Sequence, residues 1–385
     1  VHRTRVGASI GYLGDRLRLF ERLLLWPALA LLAFGLAGCA ARMGPSTIPK
    51  ARFNYNDKIA NSQNDQLLLN LVRLRYRDTP VFLDVGTVIA QYTLDARAGA
   101  AGRLNPDGGA RSELGLDIGG SYSEQPTITY EPLKGTDFTR RLLTPLSPVN
   151  IILLSESGWS IERLLLCCVE RINDIKNAPS ASGPTPSRFP DNEAFRELAG
   201  LMRELQSAGL LEFQSFVDGE TRTARLHIDR PAAGDPIEAT ARRVREILGL
   251  GDQPEVFELT GRGLDRRSDQ IAIKGRSLLG ALFFLSNGVA APNAHMEQGL
   301  VTVTQGQTDE RAGWEAVTGG LLKVAAAPSS PSQAFVRIRY RDHWFYIADS
   351  DLESKATFNL LTYLFSLQAA IGEGGGPTLT VPVGR

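Results

Sequence analysis

Between two runs that read as β-strands, residues 81–94 and 122–130, lies a glycine- and alanine-rich stretch that includes Gly99, Gly102, Gly108, Gly109, Gly119 and Gly120. Such a composition buries too little apolar surface to pack a core of its own. Residues 96–113 are therefore expected either as an adaptable loop or as the far end of a long hairpin. The flanking strands open a further option, because amphipathic strands of about 10 residues from several subunits can close a barrel.

Around this segment the periodicity predicts an α+β protein of mixed helices and antiparallel hairpins. A helix is expected over 54–77, where Leu67, Leu71 and Leu74, flanked by Leu68 and Val72, form a broad apolar face. Its polar stripe of Gln66, Asn70, Arg73 and Arg77 is narrow, so the helix should be buried on most sides. Arg75 projects among the leucines, where an unpaired charge is costly, and must find a carboxylate or carbonyls. Further helices are predicted at 136–143 and 160–177, the latter placing Cys168 on a core face and Cys167 on its flank.

Pro179, Ser180, Ser182, Gly183, Pro184 and Pro186 mark residues 179–190 as a linker. It divides an N-terminal subdomain, 54–178, from a C-terminal one, 191–371, with a Gly-rich tail at 372–385. Beyond the linker the pattern predicts a helix at 191–207, a hairpin turning at Asp218-Gly219, and a helix at 236–248. Strands at 256–259 and 270–273 and an all-round apolar helix at 277–285 come next. A second hairpin over 333–348 and a helix at 351–371 complete the order. The acidic run Asp349-Ser350-Asp351-Leu352-Glu353 reads as a helix start, with Ser350 and Glu353 as a capping box, because a calcium loop would need glycine and glutamate where Ser354 and Leu360 stand. Arg-Tyr-Arg-Asp occurs twice, at 75–78 and 339–342, once on an expected helix and once on an expected strand, and so marks no repeat.

The N-terminus carries Arg3, Arg5, Arg16, Arg18 and Arg22, then an apolar run to Leu36, then Ala37-Gly38-Cys39-Ala40. Basic, apolar, small is the order of a secretory signal, and the run is shorter than the ~20 residues of a spanning helix. Leu36-Ala37-Gly38-Cys39 resembles the lipobox of bacterial lipoproteins. That resemblance implies a signal peptide of residues 1–38, lipidation of Cys39 with palmitate-type chains, a tether over 39–53 and a membrane anchor without a spanning helix. Ala40, where the family uses aspartate for inner-membrane retention, implies the outer membrane and the periplasmic side. An ordinary signal peptide or an uncleaved anchor ending in Gly-Cys is the plainer alternative. Residues 67–77 and 344–349 also resemble stretches of outer-membrane lipoproteins of uncharacterised activity.

The chain has 42 basic and 42 acidic residues, and removing the five and two before Cys39 leaves 37 against 40. Near-neutrality and export argue against a nucleic-acid partner, although helix-then-hairpin at 191–228 resembles the end of a winged-helix module. Of the histidines only His227, His295 and His343 follow the signal, and no HExxH, GxSxG, SxxK, P-loop or Rossmann fingerprint occurs. No cofactor or metal is expected. An enzyme is unsupported, with a carboxylate-based hydrolase left open because its residues can lie far apart in sequence.

The hairpin at 333–348 offers the one candidate interaction face. A two-residue Arg341-Asp342 turn sets Arg337 opposite Tyr346 and Arg339 opposite Trp344, away from Val336, Ile338, Phe345 and Ile347. Guanidinium over ring would make a cation–π ladder, either as a platform for a glycan or protein partner or as self-covering of the aromatics. The sequence is best read as a non-enzymatic envelope lipoprotein with protein partners; a glycan- or small-ligand-binding lipoprotein, a pore component or a hydrolase is the alternative.

Overall fold

The computed structural model describes residues 48–103, 113–132, 136–218, 221–251, 255–261, 267–306, 309–369 and 379–382. The lipobox with Cys39 and the tip of the Gly-rich stretch, 104–112, lie outside the described residues. The chain divides after Ser62 into two units. In the first, the described residues belong to a helix that starts at Ile48, inside the segment expected as a tether, and Phe53 is 75% exposed. The second unit is an α+β body.

Within the second unit the helix Ile48–Arg75 has Leu68, Leu71 and Val72 fully buried. It stops at a Schellman-type turn: Asp78 N–H donates to Arg73 O at 2.8 Å and Arg77 N–H to Leu74 O at 3.1 Å, with Arg77 at φ 60°. On the way out the chain is held by two side-chain amides one helical turn apart. Gln66 Oε1 accepts from Leu83 N at 2.8 Å while its Nε2 donates to Leu83 O at 3.0 Å. Asn70 does the same for Val81, at 2.9 and 2.7 Å. Each amide offers the donor and acceptor of a peptide group, so the helix stands in for a neighbouring strand.

From this clamp rise β1, Leu83–Arg103, and β2, Glu113–Pro132, paired antiparallel over their whole length with one bulge between Val85 and Thr87. The Gly-rich stretch is thus the far end of a long hairpin as far as Arg103 and Glu113. The segment expected as a tail contributes β12, Leu379–Pro382, which pairs with Thr127–Tyr130 at the hairpin's base. Among the described residues no other element makes more than marginal contact with the two long strands.

The body is built on a six-stranded sheet. It holds β3 (Val169–Ile172), β4 (Ile175–Lys176), β5 (Leu211–Asp218), β6 (Thr221–Ile228), β7 (Val256–Thr260) and β8 (Gln270–Gly275), in the order β4-β3-β8-β7-β6-β5. All neighbours are antiparallel except the β7/β8 pair. Residues 179–190 therefore join strands of one sheet instead of separating two cores, and Ala181 and Thr185 within them are buried. The helix expected over 160–177 ends at Cys168, where Val169 turns extended and starts β3. Cys167 and Cys168 are both free and fully buried, so Cys167 belongs to the core and not to its flank.

That helix end is held by Arg276, 1% exposed. Its guanidinium donates to Leu166 O at 2.9 Å, Cys167 O at 3.3 Å, Val169 O at 2.8 Å and Ser182 Oγ at 2.9 Å, and also to Asn177 O, while lying 3.9 Å from the Phe284 ring centre. Burial pulls its pKa down to about 10, so it keeps its charge at neutral pH. Gly275 is obligatory beside it, because a Cβ there would meet Leu146 O at 2.1 Å.

The third sheet, of order β10-β11-β9, comprises β9 (Ala325–Ala327), β10 (Ala334–Tyr340) and β11 (His343–Ala348). Arg341 and Asp342, at φ 45° and 62°, make the expected two-residue turn of primed type. The following helix, Leu352–Ala369, is capped by Asp351 and not by the expected Ser350: Asp351 accepts from Ser354 N at 3.0 Å and Ser354 Oγ at 2.7 Å. Glu353 pairs instead with Arg163 and Asp349 with Lys355 at 2.7 Å, which commits the acidic run to capping and ion pairs.

The clamp and the marginal packing of the hairpin give a paired expectation. Asn70→Ala should lower the melting temperature by about 2–5 °C, since it removes both hydrogen bonds that hold the Val81 peptide groups to the helix. Joining Asp95 to Ser121 through a short turn, which removes the outer hairpin, should move the melting temperature by no more than about 2 °C. Calorimetry on both variants reads this; a collapse of the shortened protein would show that the outer hairpin packs on the body.

Candidate functional site

The two Arg-Tyr-Arg-Asp tetrapeptides meet in space. Both place the third residue, Arg77 and Arg341, at positive φ, so each turns sharply after its tyrosine. The Tyr76 and Tyr340 rings contact edge to face at 5.5 Å, and Arg341 lies 5.2 Å from the Tyr76 ring centre and 5.5 Å from that of Tyr340. The Tyr340 hydroxyl donates to Asp78 Oδ2, which also takes Arg341 Nη2 at 3.0 Å. Burial works to raise the Asp78 pKa, but these two hydrogen bonds outweigh it and hold the carboxyl below its usual range. The first tetrapeptide thus ties the end of the long helix to the β10–β11 turn.

His295, on the short helix Asn293–Glu297, closes the cluster. Tyr76 Oη lies 2.7 Å from His295 Nδ1, and the His295 and His343 rings meet edge to face at 4.7 Å. Burial, with His343 and Arg341 adding to it, pushes the His295 imidazole below its ordinary pKa. Burial also raises the Tyr76 hydroxyl to about 12. Both shifts favour the neutral forms, and the Tyr76 hydroxyl and the imidazole share one hydrogen bond.

Next to this cluster lies a cavity of about 420 Å³, lined by Arg75, Asn287, Met296, Glu310, Trp314 and Lys323 among others. Arg75 finds the partners its position requires: Nη1 donates to Thr302 O at 2.9 Å and Nη2 to Glu310 Oε1 at 3.1 Å. Glu310 Oε1 also accepts from Thr304 N at 2.8 Å, and Trp314 Nε1 donates to Thr304 Oγ1 at 3.1 Å. Two buried atoms of the lining have no partner, Arg75 Nε and Asn287 Oδ1. The Asn287 amide cannot be turned around to cure this, because its nitrogen already donates to Phe283 O at 3.1 Å and Phe284 O at 3.2 Å. Both atoms lack accessible surface, so neither is offered to a molecule in the cavity.

The expected register of the C-terminal hairpin is present, with Arg337 opposite Tyr346 and Arg339 opposite Trp344. The expected ladder is not. Arg337 turns to Pro331 O and Arg339 Nη2 to Asp342 Oδ1 at 3.0 Å, and among the described residues neither lies over Trp344 or Tyr346. Nearby oxygens outcompete the ring faces for these exposed guanidinium groups. Cys39 lies outside the described residues.

No motif of the sequence singles out His295 or His227. His227 is half-exposed, 3.3 Å from Asp229 and 3.9 Å from Glu255, and the three could offer ligand atoms to a metal ion. Glu255 also pairs with Arg230 at 3.3 Å, which makes the group a surface ion-pair cluster. The one sequence signal for the buried cluster was the repeated tetrapeptide. Comparison with protein-family models, with curated proteins and with solved structures finds no match.

The buried imidazole sets a pH dependence. A group whose folded pKa is lowered contributes stability that is complete above its unfolded value, about 6.5, and is lost as pH falls through the folded value. Unfolding free energy should fall more steeply between pH 7 and 4.5 in the natural protein than in His295→Gln. Equal slopes in denaturant titrations would remove His295 from this role.

Proposed function

We propose that the chain is a lipid-anchored lipoprotein of the outer membrane, facing the periplasm, and that its work is assembly with envelope partners and not catalysis. The observation that carries the assembly part is the β1–β2 hairpin, 21 and 20 residues in its two strands, rooted in the body by the Gln66 and Asn70 amides and, among the described residues, in no more than marginal contact with the body's other elements beyond them. A long unpaired strand edge is a template for pairing with another chain, and monomeric proteins blunt such edges. The anchoring part is supported by the lipobox around Cys39.

Radiolabelled palmitate should enter the natural protein and not Cys39→Ser, and the variant should leave the membrane fraction. Co-purifying envelope proteins should be lost when the outer hairpin is removed between Asp95 and Ser121. Equal labelling of both proteins refutes the anchor; an unchanged set of partners refutes the hairpin as the assembly element.

A further inference from the structure

We infer that the β1–β2 hairpin is a membrane-spanning element, and that hairpins of four or more copies of this chain close edge to edge into a β-barrel. The inference rests on the assembly reading above and names what assembles. Its first support is the register. Cross-strand partners share a face of an antiparallel pair, and the face alternates along each strand. One face holds the pairs Val88/Ile128, Ala90/Pro126, Leu94/Tyr122, Ala96/Gly120, Ala98/Ile118 and Ala100/Leu116. The other holds Thr87/Thr129, Gln91/Gln125, Thr93/Ser123, Asp95/Ser121, Arg97/Gly119 and Arg103/Glu113.

Charge follows the same division. Of the residues on the first face only Glu124 is charged, whereas the second carries Asp84, Asp95, Arg97, Arg103, Glu113, Asp117 and Glu131. A hairpin in water has no use for a continuous apolar face that no described element of the body covers. A strand between lipid and an aqueous lumen requires that face on one side and a polar one on the other. The bulge at Val85/Thr87 keeps Val85 on the apolar side despite the extra residue.

Length agrees. From the Leu94/Tyr122 pair to the Gly102/Leu114 pair the apolar face runs nine residues without a charge, and a tilted membrane strand needs about 9–11. Tyr92 and Tyr122 bound this stretch on the body side, where aromatic residues sit at a membrane interface, and Arg103 opposite Glu113 bounds it at the far end. β12 pairs only with Thr127–Tyr130, below the stretch, and so leaves it free to pair with other chains.

The edges supply the reason for several copies. Among the described residues β1 and β2 pair only with each other along the apolar stretch, so each outer edge carries a row of backbone N–H and C=O groups. Within a bilayer such groups must be satisfied by closure of the sheet. Membrane barrels begin at about eight strands, and two strands per chain require at least about four chains.

The test uses the full lipidated protein, reconstituted into vesicles of phosphatidylethanolamine and phosphatidylglycerol. Single cysteines are introduced in turn by Ala96→Cys, Arg97→Cys, Ala98→Cys, Gly99→Cys, Ala100→Cys and Ala101→Cys; Cys167 and Cys168 are fully buried and serve as unreactive background. A water-soluble maleimide should label positions 97, 99 and 101 at least about tenfold faster than 96, 98 and 100. An environment-sensitive dye attached at 96, 98 and 100 should report hydrocarbon and be quenched by lipid-borne quenchers. Chemical cross-linking in the same vesicles should give a discrete species of four or more chains that disappears when residues 96–120 are excised. Equal labelling at all six positions overturns membrane insertion, and cross-linked species no larger than a dimer overturn the barrel. Both results leave palmitate incorporation at Cys39 untouched; conversely, loss of that incorporation with the alternating pattern intact refutes the anchor and leaves the barrel standing.

Discussion

The body is organised around the buried Arg276, whose hydrogen-bond partners among the described residues are neutral oxygens. Arg276 offers its donors to oxygens of Leu166, Cys167, Val169, Asn177 and Ser182, most of them backbone carbonyls at the end of the helix Ile161–Cys168. A helix end carries partial negative charge and unpaired carbonyls, so a guanidinium placed there answers both at once. Asn177 adds its own Nδ2 to Leu165 O, Leu166 O and Val169 O, and Asn192 hydrogen-bonds to Asn177 in turn. This knot forces the chain out of the helix at Cys168 and into β3. It also draws the Pro/Ser segment inward, which is why the segment lies within one sheet and not between two domains. Desolvation alone would make such a charge costly, and the number and placement of the acceptors offset it.

What the sequence made legible follows from this. Helices with clear apolar faces were legible within a few residues, as at Glu193–Ser207 and Glu238–Leu248, as was the all-round apolar helix Leu278–Ser286, and the C-terminal hairpin was legible down to the pairing of Arg337 with Tyr346. The break at Cys168 was not legible, because its cause is an arginine 108 positions further on. The helix Pro148–Glu156 was also missed, since Ile151 to Leu154 is an apolar run without period; Ser147 as cap and Pro148 at the first turn were the signals that could have found it. Of the candidate site, Arg75 was correctly expected to find oxygen partners. The meeting of Tyr76, Tyr340, His295 and His343 was not foreseen, because nothing local tells a helix end that it will contact a hairpin turn.

The two kinds of region in this chain obey different rules. In the body, specificity comes from buried polar groups that demand particular partners: Arg276 its carbonyls, Arg75 its Glu310, Asn287 its two helix carbonyls. Exchange of any one partner leaves another group unpaired, which ties distant parts of the chain to each other. In the hairpin the described contacts with the body are marginal beyond the Gln66 and Asn70 clamp, and the constraint that governs its strands is the alternation of faces.

That constraint has a consequence for how such a chain can vary over time. A residue gained or lost in one strand of the hairpin shifts everything beyond it to the opposite face and breaks its pairing with the other strand. Length changes that keep the two faces must therefore come in steps of two residues in β1 matched by two in β2. The hairpin is free to drift in composition, provided its parity is kept, while the amides that root it are fixed in place by the peptide groups they imitate.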